Sequence, residues 1–358
     1  MKISSMGAIS LLLISRIFTL MIYTADKGFT SVSFLLGICL STVIQGILSL
    51  ILILLVKKSS ADDFYSLISE NRFLMIVLSV FYGAFFILSG GTVLKNFTSF
   101  ANGLFFENVS AFVIAIPIIS VAVYGAFKGI KSVSRSASVI FCIFAFMFLI
   151  TSVLSVDEIS PATFNETTLS LSSVIKYTVY DISASPEFVM LPFFCLYSKN
   201  IRKDYFSFLS LRLVILTTSS FLMASVLKDF VNYTDFPFFT LSGAVGGFIK
   251  SDALYLVIWT LSASVKLSLI LHFVNIFTER IPIKKHLKFI LSGIIITLIS
   301  LTGTVSGNNG NSQIISAVFI LLMGGIIPII FFSKEVFSLD KKTYYDNNNN
   351  NNLSSDRM

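Results

Sequence analysis

Charge is what this sequence has least of. Only 13% of its 358 residues are Asp, Glu, Lys or Arg, against about 25% in an average soluble domain. With 55% hydrophobic residues and a mean hydropathy of +0.86, most of the chain is better matched to lipid than to water. Cysteine is scarce and odd in number. Cys39, Cys142 and Cys195 each lie inside an apolar run, which excludes a disulfide framework and a zinc pattern and leaves them as buried small hydrophobes. There are two histidines and no Walker loop, HExxH or GxSxG sequence, so neither an enzyme nor a bound cofactor or metal is expected. The strict apolar–polar alternation of a membrane barrel is missing as well.

What is present is a series of long apolar runs broken by short polar stretches. In lipid the backbone must satisfy its own hydrogen bonds, and a helix of about 20 apolar residues does so while crossing the bilayer. Ten such spans are expected, at about 5–25, 30–56, 73–93, 109–127, 134–154, 173–197, 205–227, 252–276, 287–304 and 312–332. The fold class is therefore all-α integral membrane, with a ten-helix domain over 1–335 and a polar tail over 336–358. The tail carries the Asn347–Asn352 run and is expected to be disordered. Lys2, an apolar stretch and Thr24-Ala25 imitate a signal peptide. Arg16 interrupts that stretch and no clean small-x-small site follows, so it reads as a retained first span.

The distribution of basic residues tests this layout. With a cytoplasmic N-terminus, eighteen of the 26 Lys and Arg fall on the cytoplasmic side, five outside and three, Arg16, Arg212 and Lys266, within spans. That asymmetry obeys the positive-inside rule. It accounts for the net charge of +7 through topology and contact with anionic lipid, so no nucleic acid partner is needed. Both termini are then cytoplasmic. The outer loops at about 94–108, 155–172 and 228–251 are long. The last is apolar, with Asp235-Phe236-Pro237-Phe238-Phe239, and is suited to lying on the membrane or capping a cavity.

Polar residues inside spans are costly, at about 2.5–3.5 kcal/mol for a charge at the bilayer centre, and mark interior sites. Arg16 lies mid-span between Ser15 and Thr19. It reads either as a ligand contact or as a structural arginine paired with a carboxylate or backbone carbonyls. The sixth span contains Asp181, Ser183, Ser185, Pro186 and Glu187. Pro186 removes a backbone donor and clashes with the preceding turn, so a helix break is expected there, of the kind that builds midplane sites in transporters. Asp181 and Glu187 are candidates to pair with Arg16 or Lys266. Tyr255, Trp259, Ser262 and Lys266 recur at helical spacing and share one face of the eighth span. An inward Lys266 would stand in for a bound sodium ion, carry a proton, or be neutralised permanently by Glu187 or Asp181. Arg212 is expected to snorkel to the cytoplasmic interface. His272, with Asn275 at the inner end of the eighth span, is expected to be structural.

Several segments in order resemble the spore germination permease family, the B subunit of nutrient germinant receptors, within the amino acid–polyamine–organocation transporter superfamily. They are Gly129-Ile130 with Arg135, then Ser185-Pro186-Glu187 with Leu191-Pro192. Asp235-Phe236-Pro237 follows, then Asp252-Ala253-Leu254 with Trp259, and the opening Ile3-Ser4-Ser5 fits less specifically. The resemblance spans about residues 3–335. It implies a five-plus-five inverted-repeat fold with the first and sixth helices broken around a central site. It also implies an amino acid or similar small nutrient as ligand, and an A subunit and a lipoprotein C subunit as partners. The chain departs from that pattern in lacking central glycines in its first span and in placing Arg16 there.

Ligand-binding residues are thus expected at Arg16, Ser15, Thr19, Asp181, Ser183, Ser185, Glu187, Trp259, Ser262 and Lys266. The expected function is a membrane receptor subunit of the spore or cytoplasmic membrane. The alternatives are a proton- or cation-coupled amino acid transporter and a non-binding scaffold. A scaffold gains nothing from burying Arg16 and Lys266. Reporter fusions after Lys58 and Lys342 should report the cytoplasm, and one after Lys250 the outside. The reverse pattern would invert the layout.

Overall fold

A helix with no exposed stripe belongs in the middle of a bundle, and the first helix of this chain is of that kind. The computed structural model describes residues 2–21, 32–58, 72–104, 109–159, 169–194, 197–234, 236–245, 251–279, 282–302 and 310–336. Helix α1 (Ser5–Met21) is buried at every residue from Leu11 to Phe18. There follow α2 (Val32–Lys58), α3 (Arg72–Leu104), α4 (Ala111–Lys128) and α5 (Ile130–Leu154). Next come α6 (Leu171–Ser183), α7 (Glu187–Phe194), α8 (Ile201–Leu227) and α9 (Pro237–Val245). The last are α10 (Ser251–Phe277), α11 (Lys285–Leu301) and α12 (Gly310–Leu321). Helix α12 passes through a π turn at Leu322–Ile326 and then continues as α-helix to residue 336. No strand occurs among the described residues.

Helix α10 is the hub, packed against α1, α3, α4, α5, α9 and α11, while α1 also packs on α5 and α8. Around this core the outer helices turn apolar rows away from the protein. Leu36, Leu40, Val43 and Ile47 of α2 and Val139, Ile143, Phe146 and Val153 of α5 are exposed at helical spacing. In water such stripes would be a liability; against lipid tails they are the expected surface. Seven helices among the described residues are long and apolar enough to cross a membrane. The protein is an integral membrane protein. Helices α1 and α11 have 17 residues each, and the sixth expected span is divided, so a length criterion passes over them.

The structure corrects several expectations. The first helix, expected to be broken, is continuous over Ser5–Met21, as its lack of central glycine allows. The third helix runs on through most of the expected loop at 94–108 to Leu104, because Leu94, Phe97, Phe100 and Ala101 form a buried face. The fifth begins at Ile130 rather than 134. Gly129 alone separates it from α4 with φ of 90°, a conformation that side-chain-bearing residues rarely adopt. Among the described residues of the apolar segment 228–251, Lys228–Tyr233 form a 3₁₀ turn and Pro237–Val245 form α9, which packs on α8 and α10. Of the cysteines expected to be buried, Cys39 is partly buried and Cys142 is exposed on the apolar outer surface of α5. Cys195, Asp235 and the tail from 337 onward lie outside the described residues.

Helices α2 and α6 approach closely at Gly37. A Cβ there would sit 2.7 Å from Cβ of Tyr177 and 3.1 Å from the backbone nitrogen of Thr178. Main-chain atoms cannot swing aside, so Gly37→Ala should lower unfolding stability by about 1–3 kcal/mol. Gly243→Ala, with nothing within 4 Å of its Cβ, should be much milder. Thermal unfolding in detergent compares the two, and equal melting temperatures would mean the α2–α6 contact yields freely.

Candidate functional site

The site originates in a missing amide hydrogen. Pro186 cannot donate to the preceding turn, and α6 ends at Ser183 with Ala184 N bonded to Tyr180 O and Ser185 N to Ile182 O. Helix α7 restarts with Phe188 N on Ser185 O and Val189 N on Pro186 O. Two half-helix ends therefore face each other inside the bundle. Asp181 stands in the last turn of α6, and Glu187 opens α7. A carboxylate is favourable at the positive start of a helix, and cations are favourable at the negative end.

Asp181 is fully buried and gathers three helices onto α6. It is ion-paired with Arg16 of α1 through one oxygen and with Arg212 of α8 through the other. Ser41 of α2 donates to it at 2.5 Å. Arg16 also donates to the Ala184 carbonyl, an acceptor released by the break. Arg212 donates to Gln45 Oε1 of α2 at 2.7 Å and to Ser185 Oγ at 3.1 Å. Gln45 in turn donates to Ser41 at 3.0 Å, and Ser185 to the Asp181 carbonyl at 2.7 Å.

Glu187 anchors the second half. Its Oε1 accepts from Ser15 Oγ at 2.6 Å and from Lys266 Nζ of α10 at 3.0 Å. Lys266 also donates to the Ser15 carbonyl at 2.9 Å and to Thr19 Oγ1 at 2.8 Å. Its three donors thus meet three acceptors, the full capacity of an ammonium. The same Nζ lies 5.7 Å from the centre of the Phe18 ring. Phe18 stacks on Trp259, and Phe97, Phe100 and Phe239 close around that indole. Phe97 and Phe100 of α3 and Phe239 of α9 thereby form an aromatic lid over Trp259, one ring away from the polar cluster.

The structure thus brings Arg16, Ser15, Thr19, Asp181, Ser185, Glu187 and Lys266 into one connected network. Trp259 lies between it and the lid. Ser183 and Ser262 turn their hydroxyls back to the carbonyls of Tyr180 and Ile258, both at 2.7 Å, and do not join it. Arg212, expected at the membrane interface, is 1% exposed and central. Ser41 and Gln45 were not foreseen, although their spacing of four in an apolar helix puts both on one face and was a signal of an inward polar stripe. His272 bonds Tyr197 Oη at 3.0 Å near the other end of α10. Among the described residues no three His, Cys, Asp or Glu are close enough to hold a metal ion.

A bundle with a helix broken at its centre, buried ion pairs at the break and an apolar outer surface has the architecture of a transporter-like membrane protein. The signature of the family described as spore germination protein matches residues 34–308, and the chain belongs to that family. Its fold is similar to that in the crystal structure of MhsT in complex with L-phenylalanine. The TM-score is 0.61 at 15% sequence identity, over 92% of this chain and 90% of that one. No curated protein matches the sequence.

Lys266→Met leaves the Glu187 carboxylate buried beside Ser15 with no cation bonded to it. Removing one partner of a buried pair costs about 3–5 kcal/mol. Adding Glu187→Gln removes the orphaned charge while keeping an acceptor for Ser15, and should recover most of that loss. Unfolding of the single and double variants in detergent tests the coupling; additive losses would mean the two residues do not act as a pair.

Proposed function

We propose that the protein is the membrane subunit of a spore nutrient-germinant receptor, binding an amino acid or similar small nutrient beside the helix break. The carrying observation is the meeting of Arg16, Glu187 and Lys266 with the half-helix ends of α6 and α7, all buried. Guanidinium, ammonium, carboxylate and released carbonyl are the groups that recognise the carboxylate and amino group of such a nutrient. Family membership supports the germination role, and the fold similarity supports the central placement of the site.

In this reading the chain crosses the membrane ten times. The seven long apolar helices are joined by α1, the α6–α7 pair and α11, in two inverted five-helix halves. Both termini are cytoplasmic, as the distribution of Lys and Arg supports. The membrane is the spore inner membrane or the cytoplasmic membrane of a bacterium. The nutrient acts by differential affinity: it favours whichever state of the bundle offers it free Arg16 and Glu187, and shifts the population toward that state. An A subunit and a lipoprotein C subunit receive the change. The direct Lys266–Glu187 pair, at 3.0 Å, favours one other reading, a proton- or cation-coupled amino acid transporter, because coupling requires a titrating or ion-replacing group at the site.

Uptake of a radiolabelled amino-acid panel into proteoliposomes, with and without a pH gradient, separates the two. Saturable binding without uptake is expected for the receptor. Gradient-driven uptake lost in Lys266→Ala would make it a transporter. Glu187→Gln and Arg16→Ala should each abolish the response while the protein still inserts. Wild-type binding in both, at normal expression, would place the nutrient elsewhere.

A further inference from the structure

Away from the helix break, the end of α2 and the start of α8 border a cavity of about 600 Å³. Its lining includes Leu50 and Lys57 of α2, Asn200, and Arg202, Lys203 and Phe206 of α8. Arg202 precedes Arg212 by ten residues, so the cavity lies about 15 Å along the helix axis from the buried network. The two helices present the same order of side chains there. Lys57 stands two turns beyond Leu50 on one face of α2, and Arg202 stands one turn before Phe206 on α8. On each, a cation marks the helix end and an apolar group lies deeper.

The apolar groups continue into the membrane. Val43, Ile47 and Leu54 share the face of Leu50, and Val214 lies two turns beyond Phe206; all four are exposed. Asp204, the acid in the first turn of α8, is buried, accepts from Ser198 Oγ at 2.5 Å and is not part of the lining. The first amides of a helix lack intrahelical partners and attract phosphate, which adds the start of α8 to the three cations. Arginine and lysine are the side chains that bind phosphate oxygens.

We propose that this cavity binds the headgroup of an anionic phospholipid, whose acyl chains lie along the apolar rows of α2 and α8. A soluble phosphate ester would use the cations and leave those rows unused. In the layout proposed above the lipid belongs to the cytoplasmic leaflet. It bridges the two helices whose Ser41 and Arg212 meet at Asp181.

Native mass spectrometry of the full-length protein in detergent, titrated with phosphatidylglycerol or phosphatidylcholine, tests this. The anionic lipid should be retained at least tenfold more tightly. Each basic residue beside an anionic lipid is worth about fivefold in affinity. The triple variant Lys57→Gln, Arg202→Gln, Lys203→Gln should therefore lose that preference. Lys57→Arg, Arg202→Lys, Lys203→Arg, which keeps the charge, should retain it. Lys128→Gln, Lys131→Gln, Arg135→Gln removes as much charge from exposed positions at the α4–α5 turn and should also retain it. Equal binding of the two lipids overturns the proposal. So does an equal loss in both neutralised triple variants, which would make the preference a property of the whole basic surface. Glycerophosphate that binds as tightly as the lipid would make the occupant a soluble phosphate ester and overturn the lipid.

Discussion

One carboxylate holds the centre of this molecule together. Asp181 is contacted by α1 through Arg16, by α2 through Ser41 and by α8 through Arg212. In a membrane interior there is no hydrophobic drive pulling one apolar helix onto another, so polar contacts and close packing decide which helices associate. A fully buried aspartate bonded by three other helices fixes their relative positions at one depth. Substituting it would remove the carboxylate with which both buried guanidinium groups are ion-paired, a costly loss in a low-dielectric core.

The break at Pro186 turns that anchor into part of a mechanism. Helix α6 is tied through Asp181, and α7 is tied through Glu187 to α1 and α10. The two halves are thus secured to the bundle by separate ion pairs. Helix α1 belongs to both, since Ser15 serves Glu187 and the next residue, Arg16, serves Asp181. On the proposed reading, a solute competing for either acid would loosen one half-helix and not the other, and α1, bonded to both acids, would register the difference. Such bistable contacts, rather than gradual bending, carry conformational change through packed proteins.

Much of this was legible in the residues. The long apolar runs gave the helices, Pro186 gave the break, and the cost of charge in lipid marked Arg16, Asp181, Glu187 and Lys266 as interior. Arg212 was misjudged because its depth was measured from an expected helix start at 205, whereas α8 begins at Ile201 and carries it a further turn inward. Gln45 and Ser41 were hidden because uncharged polar residues are common in membrane helices and carry little signal one at a time. The length of α3 was missed for a related reason: Asn96, Thr98 and Asn102 look like a loop, yet Phe97, Phe100 and Ala101 between them form the buried face that keeps the chain helical. Continuity of α1 was readable in its missing glycines, against the expectation from family resemblance.

The π turn at Leu322–Ile326 has its own bearing on how the last helix is set. A π turn accommodates one residue more than the α-helical ladder does and leaves its carbonyls imperfectly matched to donors. Here the Met323 carbonyl is met by the hydroxyl of Tyr82 from α3, at 2.6 Å. The widened turn lays Gly324 directly on Phe188 of α7, where a Cβ would come within 2.5 Å of the ring. A tyrosine on α3 thus helps to set the rotational phase of the final helix, and the seat of α7 against Gly324 inherits that setting. In this way α3, which touches neither acid at the break, acts as a tuning peg for the element that carries Glu187.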